Sequence, residues 1–274
     1  MTDIENRKMQ EMLAIFEDLK KQVAKKEVII FKDDGTLLSP ENYLNIDGFY
    51  PGYFEAPLKV LFVGRESRWV TGCNRMKADP DNMRNGKINA NAMPYWRRIF
   101  YIMYGIRHEG KIPFEKIPFA EDIMKSFLEE NNLGFAVINV SKYSNDTTSF
   151  NTDRELVTRF FEDAELNKRN YLREQLAILD PDVIISGNIG ESCIPKKYIE
   201  YLFPDKDFSF RLEEKSTPKF SSVYNFSFKE RTIPFIDLYH FSAFHVTSLT
   251  GEYLGGDKLD KVAFYDPVMK ALFK

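Results

Sequence analysis

Four polar clusters in the chain carry residue types that can do chemistry together: Gly64-Arg65-Glu66-Ser67-Arg68-Trp69, Asn139-Val140-Ser141-Lys142-Tyr143-Ser144, Gly187-Asn188 and Tyr239-His240-Phe241-Ser242-Ala243. The carboxylate of Glu66 can orient water and stabilise positive charge that develops beside it. Asn139 offers a donor and acceptors on one side chain, enough to read the edge of a nucleobase. His240 can donate to an oxygen on which negative charge builds. Each has a plainer reading too. Glu66 could pair with Arg65 or Arg68, Asn139 could hold the loop that it opens, and His240 could sit buried against backbone. The clusters matter because of what precedes them.

Each follows an apolar run of strand length: 59–64, 134–140, 182–187 and 233–238. Continuous apolar runs of this kind suit strands buried on both faces. Helical text lies between them, at 94–103, 121–131 and from Thr152-Asp153-Arg154-Glu155 to Leu179 with a break. Further helices are expected over 5–25, near Pro195 to Leu202, and over 258–273 with an interruption at Pro267. Asp34-Gly35 and Asp47-Gly48 bound short strands or hairpins, residues 66–93 read as a long loop, and charged text connects 202 to 233. Strands alternating with helices predict a three-layer α/β/α sandwich around a central, mainly parallel four-stranded sheet. One domain spans 1–274, with an N-terminal helical and hairpin extension over about 1–57. In such sheets ligands bind beyond the carboxyl ends of the strands, where all four clusters fall.

Composition narrows the function classes. Two cysteines, Cys73 and Cys193, cannot build a disulfide framework, a four-thiolate zinc site or an iron–sulfur cluster. Three histidines offer a metal little, and His240 and His245 lack helical pair spacing. No metal or other cofactor is expected. A reducing cytoplasm is the simplest compartment, since no secretory signal or apolar run of membrane length is visible. The net charge of −3 argues against avid, indiscriminate DNA binding, while leaving room for a local basic cleft.

Taken in order, the motifs resemble the uracil-DNA glycosylase superfamily. Val63-Gly64-Arg65-Glu66-Ser67 looks like its glycine-led first motif, and Asn139-Val140-Ser141-Lys142 is similar to its strand ending in asparagine. The segment from Leu172-Arg173-Glu174-Gln175-Leu176 through Asp180-Pro181 to Ser186-Gly187 resembles its helix, proline and strand ending in glycine. His240-Phe241-Ser242-Ala243 resembles its histidine motif. The match covers roughly residues 59–245. Ser67 and Phe241 stand where proline is usual, and the iron–sulfur branches need four cysteines, so the chain reads as a cluster-free branch or a divergent relative.

The resemblance implies an enzyme that excises a modified base from DNA or another nucleic acid by water attack on the N-glycosidic bond. Glu66 would position the water, and His240 would stabilise the leaving base. Gly64, Arg65, Ser67, Trp69, Asn139, Lys142, Tyr143 and Ser242 would bind substrate. Trp69, Tyr95, Trp96 and Tyr143 are candidates to stack on a flipped base, although each also suits a core. Arg65, Arg68, Arg75 and Lys142 could form a basic rim for phosphates, or simply a solvated loop. Two other readings stay open: a catalytically silent module that binds a nucleotide or a protein, and a hydrolase of free nucleosides or nucleotides.

Overall fold

Side chains alternate along a strand, and that alternation builds both faces of the sheet at once. The structure, a computed structural model, describes the 274-residue chain except residues 1, 27–29, 32–36, 147–152, 190–207, 210–220, 248–251 and 274. The four expected strands are present as Val60–Gly64, Phe135–Asn139, Val183–Gly187 and Arg231–Leu238, parallel and adjacent. Leu61, Val63, Ala136, Ile138, Ile184 and Phe235 pack on one face. Val60, Phe62, Phe135, Val137, Val183, Ile185 and Ile236 pack on the other. In chain order the strands are β1 (Ile30–Phe31), β2 (Leu37–Leu38), β3 (Gly48–Phe49), β4 (Val60–Gly64), β5 (Ser67–Arg68), β6 (Phe135–Asn139), β7 (Ser144–Asn145), β8 (Val183–Gly187), β9 (Phe208–Ser209), β10 (Ser221–Phe228), β11 (Arg231–Leu238), β12 (His245–Thr247) and β13 (Tyr253–Gly255).

The central sheet has seven strands rather than four, in the order β3-β6-β4-β8-β11-β10-β9. The three extra strands are antiparallel to their neighbours. Two of them are only two residues long. The third, β10, lies in text expected to be a charged connection. It joins β11 through Lys229 and Glu230, both at positive φ (47° and 64°), so the tight turn lacks the Asn-Gly signature that would have announced a hairpin.

Helices cover both faces, which makes the expected three layers. α1 (Asp3–Val23), the one-turn α2 (Pro40–Tyr43), α6 (Arg154–Asp163) and α7 (Tyr171–Leu179) bury Met12, Phe16, Leu19, Tyr43, Val157, Phe160 and Leu176 on the first face. The second is covered by α4 (Pro94–Arg107), α5 (Ala120–Glu129) and the C-terminal helical segment. Within the N-terminal 57 residues, α1 packs against the core and β3 edges the sheet. Thr2 and Glu5 form a capping box at the start of α1, and Glu5 Oε1 also accepts the Gly52 N–H at 2.6 Å.

One local expectation needs correction, and two gain detail. The stretch 66–93 holds β5 and the helix α3 (Arg75–Arg84), which its polar sequence and internal Pro80 concealed. The break expected in the helix from Asp153 divides it into α6 and α7. Asp153 caps α6 by accepting the Leu156 N–H, Asn170 caps α7 by accepting that of Arg173, and Asp180 ends α7 in the left-handed region (φ 47°). Near the C-terminus a π-helical turn over Lys261–Tyr265 separates helix Gly256–Asp260 from helix Asp266–Phe273. Pro267 has no N–H for the carbonyl four residues back, and the wider turn relieves the crowding. The Asp34-Gly35 turn and the helix near Pro195 fall outside the described residues. No described helix is long and apolar enough to cross a membrane.

Candidate active site

β4 and β6 end side by side, with Gly64 opposite Asn139. From there the chain departs to opposite faces, through α4 and α5 after β4 and through α6 and α7 after β6. Numbered in chain order, the parallel strands run second, first, third, fourth across the sheet, so the order reverses between β4 and β8, and there an open α/β sheet forms its ligand crevice. Gly64 leaves room for the Asn139 amide, because a Cβ there would collide with Asn139 Oδ1. The Asn139 side chain is buried and donates through Nδ2 to Ser67 Oγ at 2.8 Å, and Arg75 donates to the same hydroxyl at 3.2 Å. One step further out, β5 pairs in parallel with β7 and stitches the two loops together.

Glu66 is held between the end of β4 and β5. Asn145 Nδ2 reaches Glu66 Oε1 at 3.5 Å, while Oε2 is buried without a hydrogen bond from any described residue. Burial raises the Glu66 pKa above the usual glutamate value, against the pull of Asn145, Arg65, the Asp153 N–H and Arg68. A carboxylate in this state is a better base than a solvated one.

His240 follows β11. Its Nδ1 lies 3.3 Å from the Ser242 N–H, so in the neutral ring the proton belongs on Nε2. Burial, then the charges of Arg65, Arg98 and Arg68, push its pKa down to about 4. The imidazole is therefore a neutral donor at physiological pH. Arg65 and Arg68 act on both Glu66 and His240, which brings these two residues, far apart in sequence, under one electrostatic influence.

The strand ends are cross-linked. Arg65 Nε donates to the Asn188 carbonyl at 3.0 Å, joining β4 to the turn after β8. Ser186 Oγ donates to Asp237 Oδ1 at 2.5 Å, and the Ile189 N–H donates to the same oxygen at 3.2 Å. Phe241, which stands where the resembling family has proline, is buried against Phe62 and Tyr95 at ring distances of 5.8 and 6.0 Å. It also fills the space over Gly187, where a Cβ would come within 2.8 Å of the Phe241 ring.

Several of the candidate residues stand elsewhere. Lys142 is fully buried: its Nζ pairs with Asp47 Oδ1 at 2.7 Å and donates to the Asn139 carbonyl at 2.6 Å. It cannot reach a phosphate at the surface, because an apolar core surrounds it. Tyr143 is equally buried, donates to Asp163 Oδ2 at 2.8 Å and packs edge-on against Phe160, so neither ring face is free for a base. Arg75 is buried in an ion pair with Asp79 at 2.9 Å. Trp96 lies in the core and Tyr95 is half-buried beside it. Trp69, by contrast, is 59% exposed, has φ +52° and lies 5.0 Å from the Arg68 guanidinium. Ser242 is exposed and offers its N–H to His240.

Two residues that sequence reasoning missed organise the site. Asp47 accepts the Asn139 N–H at 2.8 Å, Lys142 Nζ, and Gln175 Nε2 at 3.2 Å. Arg98 is buried within α4 and donates to the carbonyls of Phe241 and Ala243, the latter at 2.6 Å. Both charges stood in text that looked like a turn or a helix surface, and nothing local marked them as internal. The Cys73 thiol is half-buried, with its pKa raised by burial, and Cys193 lies outside the described residues. Among the described residues no three His, Cys, Asp or Glu side chains gather as a metal site would. No protein-family model matches the sequence, and no curated protein matches it either.

Proposed function

We propose that the protein hydrolyses an N-glycosidic bond with a nucleobase as leaving group, the chemistry of the uracil-DNA glycosylases that its strand-end motifs resemble. The observation that carries this reading is that two unlike groups, each after a parallel strand, lie within reach of the same two arginines. A partly buried carboxylate with a raised pKa, Glu66, shares the influence of Arg65 and Arg68 with a neutral imidazole, His240. Glu66 holds the attacking water and takes its proton as the oxygen bonds to the anomeric carbon. The C–N bond breaks with its electron pair passing to the base, and His240 Nε2–H donates to the base oxygen that gains charge. Asn139, fixed by Gly64, Ser67 and Asp47, supplies the amide that fits a base edge. Incubation with oligonucleotides carrying different modified bases tests this; free base and an abasic sugar are the expected products.

A second reading is favoured by one observation. Of the four cations expected at the rim, Arg65, Arg75 and Lys142 are buried, the last two each paired with its own aspartate. That weakens the phosphate-neutralising surface on which DNA affinity depends and suits a free nucleoside or nucleotide. The same incubation with free nucleosides separates the two readings. A silent binding module would retain affinity for a base-bearing ligand and release no base from any of them.

A further inference from the structure

The loop that carries His240 is held from below by a buried ionic clamp. Arg98 Nη1 donates to the Phe241 carbonyl and reaches that of His240 at 3.5 Å, and Nη2 donates to the Ala243 carbonyl at 2.6 Å. Its Nε donates to Asp260 Oδ1 at 2.8 Å, and the Phe264 ring lies 4.0 Å beneath the guanidinium. Asp260 is the last residue before the π-helical turn, and Phe264 lies within it. The irregular turn therefore delivers both the anion and the aromatic face to one arginine, and π-turns of this kind recur at functional sites. The base of the clamp is close-packed: a Cβ on Gly105 of α4 would collide with Tyr265 and Met269. Arg97 holds the second oxygen of Asp260 at 2.5 Å without touching the histidine loop.

We propose that Arg98, anchored by Asp260, is a positioning residue that fixes the His240 loop so that the imidazole meets the leaving group in a set orientation. This rests on reading His240 as the donor to the departing base. A planar fork can bridge three carbonyls that a point-charge ammonium cannot, so the role belongs to geometry as well as charge. The charged groups acting on the imidazole are Arg65 and Arg68 from the β4 side and Arg98 from α4; Asp260 meets the loop only through Arg98.

The test is Arg98→Lys, which keeps the charge and removes the fork, with Arg97→Lys as control. The readout is the NMR titration of the His240 ring, assigned with His240→Gln among the chain's three histidines. The wild-type ring should titrate at about 4. In Arg98→Lys the loosened loop should admit water and raise that midpoint by roughly one pH unit or more, while Arg97→Lys leaves it in place. Turnover on any responsive substrate should fall on the order of 100-fold in Arg98→Lys with KM little changed. A folded Arg98→Lys protein with the wild-type midpoint and full turnover overturns the proposal. If Arg98→Lys does not fold, Asp260→Asn is read in the same way, since Arg97 and the Nε hydrogen bond remain. A wild type inert on every substrate would remove the glycosylase reading, and the ring titration would still decide the clamp.

Discussion

Replacing Asp47 by asparagine should expose how much of the site rests on one buried ion pair. Lys142 Nζ sits 2.7 Å from Asp47 Oδ1 with neither side chain exposed to more than 1%. Removing one partner of such a pair leaves an uncompensated buried charge and costs about 3–5 kcal/mol. At roughly 2.1 cal/mol/K per residue, the 274-residue chain unfolds with an entropy of about 0.6 kcal/mol/K. The expected loss is therefore a fall in Tm of roughly 5–9 °C. Burial already lowers the Lys142 pKa, and Asp47 is the main group opposing that. The variant's deficit should accordingly shrink as pH rises toward the unfolded lysine value of about 10.4, where the charge is lost in either state. The assay is reversible thermal or urea unfolding of Asp47→Asn, Lys142→Met and the double variant. The double variant should recover much of the single-variant loss, because both charges leave together. An Asp47→Asn protein that melts with the wild type, at neutral pH and low salt, would refute the assignment of Lys142 to the interior.

Two further outcomes follow from the strand ends. Gly64→Ala places a methyl against Asn139 Oδ1, so it should push the amide off Ser67 Oγ and weaken base discrimination more than overall stability, read as the spread of rates across substrates. His240 binds fewer protons folded than unfolded, with a midpoint of about 4 against about 6.5 for the free side chain, so its contribution to stability should be complete above pH 6.5 and disappear as pH falls toward 4. Its absence in His240→Gln, seen as a flatter stability curve over that window, checks the sign.

The sequence was most legible where one local pattern decided one structure. Apolar runs ending on Gly64, Asn139, Gly187 and Leu238 announced the four parallel strands, since burial on both faces leaves no room for polar alternation. Strand β10 escaped notice because Lys229 and Glu230 make the turn without glycine or asparagine. The polar strand ends were visible as a group, but which of their side chains face inward was not. Lys142 and Tyr143 look available on paper beside Asn139. Their burial depends on Asp47 and Asp163, which lie 95 and 20 residues away and which no local rule connects to them. Arg98 was hidden for the same reason, its partners lying 143 to 162 residues further along the chain.

Base release by the wild type and by Glu66→Gln, measured side by side over one panel of modified oligonucleotides and free nucleosides, decides whether Glu66 activates water for glycosidic cleavage. Glutamine keeps the shape and the Asn145 neighbour of Glu66 but cannot accept a proton from water. At least one substrate should lose its base to the wild type, and Glu66→Gln should bind it equally well while releasing base about 10²–10⁴-fold more slowly. A Glu66→Gln variant as fast as the wild type, or a wild type that binds base-bearing ligands and releases none, would contradict the proposed chemistry.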